Sequence, residues 1–252
     1  MISKDFYKIQ NEWSEIYYRP VGESDFEKIR FIDSLVIGKG NEILELGCGG
    51  GQFALVAARA GYQVTALDIN EDFIQFAQSQ SIDIPESLLK YIVSDFMQNI
   101  SPGYFDLICY WDGFGIGDDR QQKTLLKKII AWLKPNGLLL LEVFTPWYWS
   151  SVAIGKSWKV SNATRLYEFD PYENRLLDHW WKTGKESSRI TQSIRCYAPV
   201  DINLLLDDTG YEIKHIKPGG AVDYQTGEYA SDVSLNKAMS YIAVIGAISS
   251  LT

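Results

Sequence analysis

Histidine and cysteine are scarce in this sequence, and long apolar runs are missing. The 252 residues include two histidines and three cysteines. Cys48, Cys109 and Cys196 are odd in number and far apart, so no pair has metal-ligand spacing. Free thiols in a reducing cytoplasm are the simplest reading. No run approaches the ~20 apolar residues that span a bilayer. The first residues are polar and mixed, without a signal-peptide hydrophobic region, and the expectation is a soluble, cytoplasmic chain. Basic residues are outnumbered: 24 Lys and Arg against 32 Asp and Glu leave a formal net charge of −8, with no dense basic cluster. That balance repels phosphate backbones and argues against nucleic acid as a substrate. Internal repeats and low-complexity linkers are also lacking. With 46% hydrophobic residues, the chain has enough material for one large α/β domain or two small ones.

Phe6, Ile9, Trp13, Ile16 and Tyr17 recur at spacings of three and four, which predicts one amphipathic helix over 5–18, ended by Pro20 and Gly22. A second helix is expected over 25–36, broken by Gly38 and Gly40. Then strands and helices alternate. Strands are predicted over 43–46, 63–68, 89–93, 104–111 and 138–144, and helices over 53–60, 71–79 and 119–133. Strands that do not alternate, separated by helices, imply a parallel sheet buried on both faces. After Phe144 the period changes. Pro146-Trp-Tyr-Trp149 opens an irregular aromatic stretch, and three strand-like runs follow, over 164–169, 176–182 and 188–197, with short turns that suggest an antiparallel meander. Five of the eight tryptophans fall between Pro146 and Trp181. A helix over 199–206, a strand over 211–216, a polar loop over 218–236 and a strand over 240–248 complete the chain. The last two strands lack a helix between them and should pair antiparallel.

The densest motif is Glu45-Leu-Gly47-Cys-Gly49-Gly50-Gly51, which joins the first strand to its helix. Glycine after a strand reaches φ > 0 and lets a ligand approach the backbone. Free amides at the next helix N-terminus attract an anion. A simple tight turn explains four glycines in five positions poorly. Asp68 ends the second strand, followed by Ile69; it is placed to accept ribose hydroxyls, or else to cap the next helix, where Asn70 is the competitor. Ser94-Asp95-Phe96 follows the third strand. Trp111-Asp112-Gly113-Phe114-Gly115 follows the fourth, at the carboxyl end of the sheet where open α/β folds bind ligands.

In this order the motifs resemble those of the class I S-adenosylmethionine-dependent methyltransferases, over about 41–144 and again over 199–252. The layout is most similar to small-molecule members, which carry an antiparallel insertion after the fifth strand. The resemblance implies an α/β, doubly wound, Rossmann-like, mostly parallel seven-stranded sheet with a reversed last strand, plus that insertion. It also implies an N-terminal helical lid over 1–40, a core over 41–145 and 199–252, and a substrate cap over 146–198. S-adenosylmethionine is the implied cofactor. Glu45, Gly47, Gly49 and Gly51 would face its methionine end, Asp68 and Ile69 its ribose, and Asp95 and Phe96 its adenine. Trp111 would flank the sulfonium, Tyr17 or Tyr18 would close on it, and Arg19 would pair with its carboxylate. The Pro-Cys signature of cytosine methylation and the Asn-Pro-Pro-Tyr type motif are absent.

Candidates for the chemistry are fewer. Tyr17, Glu142 and His179 are the catalytic candidates, and Asp112, Trp147 and Tyr148 the substrate-binding ones; no metal is expected. Each has a plainer reading: Tyr17 packs a helix face, Glu142 satisfies a backbone group, and His179 is a half-exposed strand histidine. If 176–182 is a strand, His179 shares a face with Leu177 and Trp181, while Asp178 and Trp180 share the other. The aromatic insertion reads as a substrate cap or as the contact of a homodimer. The expected activity is methyl transfer to nitrogen or oxygen of a small organic molecule. The rivals are a NAD(P)-dependent oxidoreductase, since Gly49-x-Gly51-x-x-Ala54 formally fits a dinucleotide fingerprint, and a non-catalytic nucleoside-binding partner protein.

Overall fold

Apolar runs without alternation become the inner strands of a seven-stranded sheet. The computed structural model describes residues 4–35, 41–98, 100 and 102–248. Strands β1 (Glu42–Leu46), β2 (Gln63–Asp68), β3 (Leu89–Val93), β4 (Phe105–Tyr110) and β5 (Leu133–Phe144) pair in parallel. Strands β10 (Tyr211–Pro218) and β13 (Ser240–Ala247) complete the sheet, in the order β10-β13-β5-β4-β1-β2-β3. Strand β13 runs antiparallel to both neighbours. Such a reversal needs no crossover helix, because antiparallel neighbours are joined by a loop.

Alternation along each strand sorts the core into two layers. Leu44, Leu46, Ile108, Leu139 and Leu141 face helices α5 (Asp119–Ile130) and α7 (Pro199–Leu206). Ile43, Leu107, Cys109 and Leu140 face helices α2 (Glu23–Ser34) and α3 (Gln52–Arg59). Helix α4 (Glu71–Gln80) follows β2. Helix α5 ends at Ile130 rather than Leu133, which opens β5; the turn at Pro135–Gly137 shifts the β4–β5 register.

A second sheet lies between β5 and α7. It is an antiparallel meander of β6 (Ser157–Val160), β7 (Ala163–Asp170), β8 (Arg175–Lys182) and β9 (Ile190–Arg195). Strand β6 is an addition to the three runs read in the sequence: its four residues offer too short a pattern to stand out. The stretch after Phe144 is a short helix, α6 (Pro146–Ser151), with proline in its first turn, where its missing N–H costs nothing. The loop at 218–236 contains a small hairpin, Ala221–Val222 (β11) with Tyr229–Ala230 (β12).

The N-terminal segment differs most from expectation. Helix α1 spans Lys4–Ser14, not 5–18. Glu15 adopts φ 57°, a left-handed conformation, and a 3₁₀ turn at Ile16–Tyr18 follows. The break moves Tyr17 and Tyr18 off the helix face and onto α4, with ring centroids 4.8 Å from Phe73 and 4.6 Å from Phe76 respectively. Phe6 and Trp13 of α1 pack with Ala163 and Trp180 of the second sheet. The second predicted helix begins two residues early, at Glu23. Val36, Gly38 and Gly40 lie outside the described residues.

Candidate functional site

The glycine turn is held open by its own backbone. Gly47, Gly49 and Gly51 have φ of 69°, 52° and 77°. Such values cost L-residues with a side chain roughly 1–2 kcal/mol each. A Cβ on Gly50 would lie 1.9 Å from the Tyr17 carbonyl oxygen, so the N-terminal strap lies against the turn. Gln52, the first residue of α3, secures the strap: its Nε2 donates to the carbonyls of Tyr17 at 2.9 Å and Arg19 at 2.8 Å. Asp68 closes the turn from the β2 side. Its carboxylate accepts from the Gly49 amide at 2.9 Å and the Asn70 amide at 2.8 Å. Burial raises its pKa against the pull of those amides.

A cavity of about 530 Å³ opens beside the turn, within the size range of small-molecule sites. Among the sequence-predicted residues, Tyr17, Gly47, Gly49, Asp68, Ile69, Asp95, Phe96, Trp111 and Asp112 line it. Asp95 folds back on its own loop, accepting from the Met97 amide at 2.9 Å and Gln98 Nε2 at 3.1 Å. Phe96 sits edge-on to Tyr110, centroids 5.3 Å apart. The far wall comes from α1 and β9, where Gln192 Nε2 donates to Tyr7 Oη at 3.2 Å.

Asp112 stands where the two walls meet. Its φ is 48°, and Tyr110 Oη donates to the carbonyl of the following residue, Gly113, at 2.8 Å, pinning the turn that presents it. Its side chain is exposed and lines the cavity. Desolvation by the surrounding atoms, then the negative charge of Glu142, pushes its carboxyl up to about 7, with Arg165 and Lys28 opposing. Trp111 beside it is buried, edge-on to Phe53 at 5.2 Å and under the Lys28 ammonium at 4.8 Å.

Other sequence-predicted residues lie elsewhere. His179 is on the outer face of the second sheet, between Thr191 Oγ1 at 2.7 Å and Glu168 Oε2 at 2.9 Å. Burial, then the charge of Arg189, lowers its pKa. Strand alternation turns its neighbours Asp178 and Trp180 inward instead. Asp178 receives a bidentate pair from Arg165 at 2.7 and 2.8 Å, and that guanidinium lies 4.6 Å from the Tyr167 ring and 4.7 Å from Trp180. Glu142 accepts from Ser240 Oγ at 2.9 Å, across the β5–β13 pair, and does not line the cavity. Arg19 is committed to Asp25 at 2.6 and 2.7 Å, so its charge is already matched. Tyr18 packs outside, on α4. Trp147 and Tyr148 border a separate depression beside the β11–β12 hairpin, anchored to Leu235 and Val222 carbonyls. Gly51 sits behind the turn, where a Cβ would strike Ala77 and Tyr91.

Glu45 points into the α2–α3 layer. It is buried, and its Oε2 has no partner among the described residues. Burial above all, with the charges of Asp25 and Asp68, pushes its carboxyl up to about 8 against the pull of Lys28. The sequence pattern did not mark Tyr7 or Gln192, and it marked Phe6 and Asn70 only as a helix-face and a capping residue; all four line the cavity. The signal for Gln192 was its place two residues from Ile190 and Ile194 on one strand face.

Comparison with known proteins adds to this geometry. The family profile described as "Methyltransferase domain" matches residues 25–216. Phosphoethanolamine N-methyltransferase 1 of Zea mays is 32% identical over 115 residues, which cover 44% of this chain and 22% of that protein. The mitochondrial ubiquinone biosynthesis O-methyltransferase of Schizosaccharomyces pombe is 26% identical over 181 residues, covering 68% of this chain and 64% of that one. The chain thus spans less than two thirds of the length of either relative. An S-adenosylmethionine-dependent methyltransferase of Clostridium acetobutylicum has a similar fold, with TM-score 0.70, 13% identity, and coverage of 97% of this chain and 99% of that one. The CcbJ methyltransferase of Streptomyces caelestis gives TM-score 0.69 and 17% identity, with 92% of each chain covered.

Proposed function

The chain belongs to the methyltransferase family, with the fold of the class I S-adenosylmethionine-dependent enzymes, and from this we propose that it methylates nitrogen or oxygen of a small organic molecule. The observation that carries the reading is the continuity of the cavity. One end is the glycine turn with Asp68, and the other reaches Asp112, Tyr7 and Gln192.

The residues at the turn suit the donor. A Cβ on Gly47 would meet only the rings of Phe96 and Tyr110, at 4.0 and 3.9 Å, so the bare backbone there faces open space. Asp68 holds two amides, and a carboxylate with about four acceptor positions retains room for ribose hydroxyls. Asp95 and Phe96 line the stretch assigned to adenine, and Ile69 lines the stretch assigned to ribose. When bound, the donor supplies an electrophilic methyl group on a sulfonium. The chain's part is to hold the acceptor atom about 3–3.5 Å from that carbon and in line with it. Tyr17 and Trp111 wall the transfer point from water, and the aromatic faces suit a passing positive charge.

We assign residues 1–40 the role of a lid and 146–198 that of a cap over the acceptor end. The proposed partner is a small molecule rather than nucleic acid, which the net charge of −8 supports. Among the described residues, no helix is long and apolar enough to cross a membrane. Three free, buried cysteines support a reducing cytoplasm. Against a nicotinamide oxidoreductase stands β13, which enters the sheet reversed between β5 and β10. Calorimetry with S-adenosylhomocysteine tests the reading: the expected dissociation constant is micromolar, and no binding below millimolar would overturn it.

A further inference from the structure

The wall that the second sheet gives the cavity carries a positive charge that no carboxylate matches. Arg175 is the only cationic side chain among the described residues that line the cavity. It opens β8 and is half-buried. Its Nε donates to Ser193 Oγ at 2.6 Å and its Nη1 to the Gly117 carbonyl at 2.9 Å. Its Nη2 donates to the carbonyls of Ser193 at 2.9 Å and Gly115 at 3.2 Å. All of these acceptors are neutral, and Arg175 makes no ion pair among the described residues. They fix the plane of the guanidinium and leave its charge without a counter-charge. A guanidinium has about five N–H donors, so one on Nη1 remains for a ligand.

The neighbours of Arg175 widen the imbalance. Arg195 stands directly opposite it across the β8–β9 pair, where like charges oppose each other. Asp119 answers Arg195, at 3.2 Å from its Nε, and also accepts from Tyr197 Oη at 2.7 Å. The acid thus serves the other arginine of the pair. Around Arg175 the cavity is lined by Gln121, Thr191, Gln192 and Ser193, all polar and uncharged. Gln121 Oε1 is taken by the Asp118 amide at 2.9 Å, so its amide nitrogen is the group left to donate. The carboxyl groups on the cavity are Asp68, Asp95 and Asp112. Asp68 and Asp95 accept from backbone amides beyond β2 and β3, and Asp112 is exposed at the end of β4. None of the three pairs with Arg175, but together they disfavour a doubly charged anion in the same space.

Resting on the methyltransferase reading and deepening it, we infer that the acceptor molecule carries a carboxylate, which Arg175 anchors while the atom to be methylated points toward the glycine turn. Arg175 binds and orients; no proton or bond moves at it. The carboxylate brings the counter-charge that this wall lacks and takes the remaining Nη1 hydrogen in a charge-assisted bond. The guanidinium is already immobilised by β9 and the 115–117 segment, so pairing costs little side-chain freedom. The methyl donor's own carboxylate is a different group: its methionine end is assigned to the glycine turn, and Arg175 makes no bond to that turn.

The test is calorimetry on protein saturated with S-adenosylhomocysteine, using two matched pairs of probes: phenylacetate with phenylacetamide, and hexanoate with hexanamide. In at least one pair the acid is expected to bind at least about ten-fold more tightly than its amide, as for a charge-assisted hydrogen bond. In Arg175→Gln that preference should vanish, while S-adenosylhomocysteine affinity stays within about three-fold of the wild type. Absence of the preference in both pairs overturns the inference, and so does a preference that survives in Arg175→Gln. A larger loss of S-adenosylhomocysteine in the variant also overturns it, by making Arg175 the donor's anchor. Tighter binding of phenyl phosphate than of either acid overturns the choice of a singly charged group. The wild-type comparison decides the matter even if the variant fails to fold, because Arg175 is the one cation on the described cavity wall. Failure of S-adenosylhomocysteine itself to bind the wild type would instead defeat the methyltransferase reading, so the two failures are distinguishable.

Discussion

Along the end of the cavity at β1 and β2, the wall is largely backbone: glycine φ angles, two amides on Asp68, and a strap fastened through carbonyls. Across the cavity, the wall contributed by α1 and the second sheet is built from side chains, and an ion pair between half-buried Arg165 and buried Asp178, ringed by tryptophan and tyrosine, supports it. A backbone wall tolerates little change, because its shape is set by torsion angles. A side-chain wall can be rebuilt residue by residue without disturbing the sheet beneath. The first arrangement suits a ligand that never varies, and the second one that differs between relatives.

Substitutions can separate the two walls. The largest expected effect is Arg165→Ala, which strands Asp178 in the second sheet; removing one partner of a buried pair costs about 3–5 kcal/mol. Urea unfolding should show that loss, while the S-adenosylhomocysteine affinity of the folded fraction stays within about three-fold because neither Arg165 nor Asp178 lines the cavity. A large affinity change would mean the walls are not independent. Next is Asp68→Ala, expected to weaken S-adenosylhomocysteine by about 100-fold in calorimetry, since two or more charge-assisted bonds go with it.

Glu45→Gln probes the layer behind the turn through pH. A buried acid with a raised folded pKa binds its proton more tightly when folded than when unfolded. Stability therefore falls as pH climbs from the ordinary glutamate range to about 8, and the full loss is present above that value. Melting temperatures of the wild type and Glu45→Gln should be similar at pH 5, with the variant higher at pH 9; parallel curves would refute the assignment. Gln52→Ala removes the bonds that fasten the strap, and S-adenosylhomocysteine should dissociate roughly five-fold faster in stopped flow, about 1 kcal/mol. The smallest effect is expected from His179→Ala, which should change turnover less than about two-fold because the ring is on the outer face.

The two walls also differed in how far the sequence revealed them. Gly47, Gly49, Asp68, Ile69, Asp95 and Phe96 all sit just past strand ends, where an apolar run meets glycine or a carboxylate, so local pattern was enough. Asp112 was visible for the same reason. Tyr7 and Gln192 meet across 185 positions, and only the packing of α1 on β9 brings them together. Asp178 and His179 show a subtler limit: alternation placed them on opposite faces, but which face turns inward depends on where the second sheet docks. The single left-handed residue at Glu15 that ended α1 left no apolar signature at all.

Gln52 has a consequence that reaches beyond the turn. Its carboxamide ties the strap to the first turn of α3, the strap continues into α1, and Tyr7 of α1 bonds Gln192 on the far wall. The two ends of the cavity are thereby joined through one N-terminal segment, and their occupancies form a single thermodynamic cycle. Whatever factor an acceptor adds to donor affinity, the donor must return to the acceptor. Titrating S-adenosylhomocysteine with and without saturating phenylacetate, and then the reverse, should yield the same factor, different from one; a factor of one would mean that α1 carries no message between the walls.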